Sequence, residues 1–167
     1  MNQSTKSRKT MKATVLLLGA AVFVFTGTTS RAQAQAAAST TKSKIFAQKL
    51  VEETLAKHPE LESLGLATDS NGRACVTLAD SDRTEIGQKC DRGELAVLRT
   101  GKPKVEKEKD AYDVTVPLHV GGKIIGIIGM DFKLDQPETG VLDRASAIAS
   151  EIEKQIPEKS KLSEPAK

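Results

Sequence analysis

The chain has 167 residues, with 25 lysines and arginines against 22 aspartates and glutamates, and aromatic residues make up only 3 % of it. Five of the basic residues and none of the acidic ones fall in positions 1–34, so the rest carries 20 positive and 22 negative charges, a net of −2. Nucleic-acid binding needs a basic face and aromatic platforms for bases; beyond position 34 only Phe46, Tyr112 and Phe132 remain, so that class is excluded and the core must be aliphatic.

Residues 1–34 read as a cleavable secretory signal. Lys6, Arg8, Lys9 and Lys12 precede an apolar run over 13–26, and small residues then end in Ala32-Gln33-Ala34. A positive start, a short apolar run and an A-x-A site define such a signal. The run is shorter than the roughly 20 apolar residues needed to span a bilayer. Cleavage is therefore expected to leave Gln35 as the first residue, with no membrane insertion, and the product is expected to be periplasmic or secreted. No cysteine follows the run, which argues against a lipid anchor. Residues 35–43 are small, polar and aperiodic, a loose lead-in.

From Lys44 the pattern turns helical: Phe46, Leu50 and Leu55 recur near a 3.6 spacing, joined by Ile45 and Val51. His58-Pro59 ends it, because the residue before proline is pushed out of the helical region. Residues 61–68 predict a strand, 69–72 (Asp-Ser-Asn-Gly) a turn, and 73–79 the second strand of a hairpin. A polar loop runs over 80–88. Asp91 and Glu94 have the spacing of a helix N-cap and its partner, and Gly101 stands where a glycine stops a helix, so 92–100 is predicted helical. Residues 102–109, rich in lysine and glutamate, suit an exposed sheet edge. Residues 111–120 alternate cleanly, Gly121-Gly122 is a two-residue hairpin turn, and 123–132 is apolar on both faces, as in a central covered strand. Gly126 and Gly129 within it signal a close backbone approach or a bulge. Residues 138–156 predict an amphipathic helix, carried by Val141, Ala145, Ile148, Ile152 and Ile156. The charged residues 157–167 predict a disordered tail.

Helix, two strands, short helix, three strands, helix is the order of an α+β domain built on an antiparallel sheet. Together with TDSNGRACVTLADSD (68–82), IGQK (86–89), ELAVLRTGKP (94–103) and YDVTVPLHVGGKIIGIIG (112–129), residues 44–132 resemble the extracytoplasmic PAS-like sensor domains of the Cache or PDC family. The resemblance implies a five-stranded antiparallel sheet of order 2-1-5-4-3, with the long N-terminal helix on one face and a small-ligand pocket on the other. Family members are usually tethered to a signalling module. No second transmembrane segment and no kinase, methyl-accepting or cyclase sequence is recognisable. The resemblance therefore implies a free-standing binding module, acting through a membrane-bound signalling or transport partner.

Enzyme motifs are absent: there is no G-x-S-x-G, H-E-x-x-H, P-loop or C-x-x-C. His58, His119, Cys75 and Cys90 lack the local spacing of structural zinc sites, so no metal and no cofactor are predicted. Three classes remain: a small-molecule sensor or carrier, a protein-interaction module of the envelope (adaptor, inhibitor or chaperone), and, last, an unrecognised enzyme. An apolar sheet face ending in polar groups favours the first. A filled face with a large exposed apolar patch favours the second. In an oxidising compartment Cys75 and Cys90 are expected to form one disulfide.

A two-residue turn at Gly121-Gly122 sets Val120 opposite Lys123, Leu118 opposite Ile125, Val116 opposite Ile127, Val114 opposite Gly129, and Tyr112 opposite Asp131. Residues directly opposite share a face, which places a tyrosine and an aspartate at one end of an apolar floor. Because Cache-like domains often hold ligand amines with an acidic residue there, the resemblance implies that Asp131 receives a cationic or hydrogen-bonding group while Tyr112 packs on it or donates. Arg83 and Arg99 are secondary candidates for an anionic group, since the loop and short helix should roof the pocket. The expected ligand is an amine, an amino acid or a carboxylate. A bulge at Gly126 or Gly129 would flip Asp131 to the other face.

Overall fold

The computed structural model of the protein describes residues 44–69, 74–134 and 137–166. The expected export signal and lead-in over 1–43, and most of the first hairpin turn, lie outside the described residues. The elements are α1 (Phe46–Lys57), β1 (Leu61–Asp69), β2 (Cys75–Asp80), α2 (Arg92–Thr100), β3 (Lys104–Lys107), β4 (Ala111–Val120), β5 (Lys123–Lys133) and α3 (Val141–Glu153), then a 3-10 turn over Lys159–Ser163. The strands form one antiparallel sheet of order β2-β1-β5-β4-β3. This is the α+β architecture and strand order expected from the sequence.

Local chemistry explains the boundaries. At α2 the Asp91 side chain accepts from the Glu94 N–H and the Glu94 carboxylate accepts from the Asp91 N–H, a capping box that satisfies two orphan donors. Gly101 closes the helix at φ 67°. The β4–β5 turn holds Gly121 and Gly122 at φ 58° and 74°, the double positive φ that a tight hairpin imposes. β5 lies third in the sheet, which is why its sequence is apolar on both sides.

The two sheet faces differ. α1 and α3 cover one, and the main core fills it: Leu64, Leu66, Val114, Val116, Leu118, Ile128, Met130 and Phe132 against Leu50, Val51, Ile148 and Ile152. Buried Gln48 of α1 donates to the Asp80 carbonyl at 2.9 Å and accepts from the Asp80 N–H at 3.2 Å, so both ends of its amide are satisfied. α2 lies on the opposite face over a smaller cluster, Ala67, Cys75, Val97 and Ile127. The expected disulfide is present: Cys75 and Cys90 are bonded, with Cα atoms 5.4 Å apart. Beside it residues 87–90 run along the outer edge of β2, where the Thr77 N–H donates to the Gln88 carbonyl at 2.9 Å and the Cys90 N–H to the Cys75 carbonyl at 3.1 Å.

Two expectations are corrected. Residues 157–166 are not a disordered tail. Leu162 is fully buried in the main core, and the Phe46 N–H donates to the Glu164 carbonyl at 2.8 Å, so the end of the chain caps α1, which has no side-chain cap of its own. The charged composition hid one apolar anchor and a backbone pairing. The second correction is the β4–β5 register. Val120 does pair with Lys123, but Leu118 pairs with Gly126, Val116 with Ile128, Val114 with Met130 and Tyr112 with Phe132. One extra residue, Ile125, bulges from β5 between the His119–Ile124 and Leu118–Gly126 pairs. A Cβ on Gly126 would collide with the Ala67 carbonyl oxygen, so glycine there serves the close approach of β1. No helix among the described residues is long and apolar enough to cross a membrane.

Candidate ligand-binding site

The bulge decides which side chains meet. Tyr112 enters the main core opposite Phe132, 5 % exposed, with the Lys107 ammonium 5.4 Å from its ring centroid. Asp131 stands on the other face, opposite Asp113. The expected Tyr112–Asp131 pair therefore does not exist; a one-residue shift separates the two residues by the thickness of the sheet. Arg83 does not reach the α2 face either: its guanidinium donates to Glu52 of α1 at 2.6 Å. Arg99 is exposed in the last turn of α2, where a cation complements the helix C-terminus.

On the α2 face the register stacks three rows across the sheet. In the first, Asp131 lies between Ser63 of β1 and Asp113 of β4, with Glu106 of β3 beyond. The Ser63 hydroxyl donates to Asp131 Oδ2 at 2.6 Å. In the second, Gly129 lies between Gly65 and Thr115, flanked by Asp80 on β2 and Lys104 on β3. In the third, Ile127 lies beside Ala67 beneath Val97 of α2.

The middle row is open at its centre. A Cβ built on Gly129 meets nothing within 4 Å, although this glycine is on the central strand. At Gly65 the Asp80 carboxylate occupies the space a side chain would fill. The opening is therefore a short groove over Gly129, between the Asp80 carboxylate above Gly65 and the buried Thr115 side chain. The first-row carboxylates bound it on one side, and α2 with its preceding loop on the other.

Its rim consists of partly buried charges. Burial, reinforced by the Asp131 charge opposite, pushes the Asp113 carboxyl up to about 6. Burial also raises Asp80, against hydrogen bonds from the Asp82 N–H and the Ser81 hydroxyl. Burial raises Glu94 despite its capping bond. Lys104 loses solvation, but Glu106 at 2.8 Å, Asp91 and Asp113 together hold it above the ordinary lysine value. Glu85 acts on both Asp80 and Glu94, and Lys104 on both Glu94 and Asp113, which links these groups around the groove. Carboxyls raised by burial and grouped on one face of the sheet mark a candidate site. Among the described residues no group of three or more histidine, cysteine, aspartate or glutamate side chains is placed to hold a metal ion.

Sequence reasoning placed Asp131 near a pocket and missed Asp113, Asp80 and Glu94. The signal available was Gly129 two residues before Asp131, a bare position beside a polar one on the same strand face.

No protein-family model and no curated protein matches the sequence. Solved structures do match the fold. The nlh2 GAF domain of A. aeolicus in an inactive state aligns with a TM-score of 0.52 at 15 % identity, over 65 % of this chain and 81 % of that one. Residues 122 to 287 of a methyl-accepting chemotaxis protein align with a TM-score of 0.50 at 14 % identity, over 66 % and 87 % of the two chains. A protein assigned as a GAF sensor from Burkholderia vietnamiensis aligns with a TM-score of 0.50 at 13 % identity, over 65 % and 73 %. At these identities the likeness is one of fold: a PAS-like sheet of the kind GAF domains share.

Proposed function

We propose that this chain is a small-molecule sensor or carrier module whose ligand lies in the groove above Gly129. The observation that carries this reading is the open floor at Gly129 on the central strand, next to the Asp113–Asp131 pair. Two carboxyls directly opposite one another suit a ligand with a cationic or hydrogen-bond-donating group, such as an amine or the amino end of an amino acid. Ser63 and Lys104 offer a hydroxyl and a cation for a neighbouring polar or anionic group.

The likeness in fold to a GAF sensor protein and to a segment of a methyl-accepting chemotaxis protein supports this reading. So does the small apolar surface: among the described residues the exposed large hydrophobics are Ile86 and Val105, too little to favour a protein-interaction module. We further propose that the module is non-enzymatic, works outside the cytoplasm as the 1–34 signal and the disulfide suggest, and passes its output through a membrane-bound signalling or transport partner, in the manner of Cache-type domains. The test is a thermal-shift screen against small amines, amino acids and carboxylates, followed by calorimetry of any hit with Asp131→Ala and Asp113→Asn. Binding lost in both variants, with the fold intact, is the expected result. Unchanged affinity in both removes the groove from consideration.

A further inference from the structure

α2 is attached differently from the other helices. α1 and α3 each bury five side chains, whereas α2 buries only Val97. The cluster beneath it is small, and the two half-cystines belong to it: Cys75 is one of its four buried members and Cys90 packs against it. Cys90 immediately precedes the Asp91 cap, so the disulfide ties β2 to the residue next to the α2 capping motif. Apart from the partly buried Leu95 and Leu98, which pack on the same cluster, what remains is a row of backbone bonds at the outer edge of β2, the kind that opens readily where side-chain packing is thin.

We propose that residues 87–100 form a lid over the α2 face of the sheet and that the Cys75–Cys90 bond is its latch, which a dithiol reductant releases. Cys90 is the less buried partner, so the incoming thiolate attacks its Sγ. The S–S bond breaks and Cys75 leaves as a thiolate that takes up a proton. The second thiol of the reductant then resolves the mixed disulfide. Both cysteines end as thiols and the reductant as a disulfide, two electrons having passed to the protein. The main core lies on the opposite face and shares no cysteine, so opening stays local. The consequence for a ligand rests on the groove reading above; the lid itself does not.

Hydrogen exchange of the full chain, oxidised and reduced, tests the lid without any ligand. Reduction is expected to speed exchange of the amides at 95–100 by about tenfold or more, with the central amides of β1 and β5 unchanged. The Cys75→Ala/Cys90→Ala double variant should match the reduced protein without reductant. Equal protection of α2 in both states overturns the proposal. So does acceleration of β1 and β5 together with α2, which would make the bond a support of the whole fold. A failed ligand screen with a positive exchange result would sink the groove and leave the latch standing.

Discussion

Asp113 carries a cost that its neighbours do not remove. Its folded value of about 6, against 3.8 ordinarily, means the folded state holds this proton more tightly than the unfolded chain does. The penalty for ionising it is absent below the unfolded value, grows as pH rises toward 6 and is complete above that. Asp113→Asn should therefore leave stability unchanged at about pH 4 and raise it at about pH 7.5, by about 1–2 kcal/mol once solvent screening is allowed for. Thermal unfolding at the two pH values checks this; a variant less stable at both would show that the carboxylate is a net support. Two glycines on β5 should separate in the opposite sense. Gly129 faces open space, so Gly129→Val should fold with stability within about 1 kcal/mol of wild type while filling the groove and abolishing any ligand-induced thermal shift. A side chain on Gly126 would run into the Ala67 carbonyl, so Gly126→Ala should cost about 2–3 kcal/mol in denaturant unfolding. Equal costs at the two positions would contradict the groove.

The short elements hold through specific devices more than through buried area. Asp91→Ala removes one half of the capping box of α2 and should destabilise by about 1 kcal/mol, measured by chemical denaturation. If α2 is a lid, the loss should show as faster exchange in α2 and not as a lower global midpoint. At the other end of the chain, Leu162 anchors residues 157–166 to the main core. Leu162→Ala should cost about 2–4 kcal/mol by creating a cavity and should also free the first turn of α1, whose Phe46 N–H relies on the Glu164 carbonyl. A denaturation midpoint equal to that of wild type would return the segment to the status of a tail.

At the level of the whole described domain, the α1–α3 face holds the main core, while the α2 face carries the small cluster and the proposed groove. A sheet with one filled and one open face can bind a ligand without disturbing its own folding, because the residues that stabilise it and those that would touch the ligand alternate along the same strands. Whether the product works outside the cytoplasm depends on positions 1–34. Intact-mass measurement of the protein recovered from a secreting host should give a chain beginning at Gln35; a product that retains residues 1–30 would mean an anchor.

Much of the fold was legible because the deciding interactions are local. The Asp91–Glu94 spacing, the Gly101 stop, the Gly121-Gly122 turn and the two-sided apolar run of β5 each reflect contacts within a few residues, and the structure bears them out. The Cys75–Cys90 bond was readable from cysteine number and an expected oxidising compartment. Pairing across the β4–β5 hairpin was not readable to its end. Ile125 leaves the ladder next to Gly126, where β1, distant in sequence, brings its Ala67 carbonyl too close for a side chain, and that one-residue step sends Tyr112 into the core and sets Asp131 against Asp113. Residues 157–166 are ordered for a similar reason: the partners of Leu162 and Glu164 lie at the start of the domain. Side-chain alternation and turn chemistry act along the chain, so the sequence displays them. Register and the capping of α1 by residues 157–166 depend on contacts between distant segments, and only the packed tertiary structure supplies those.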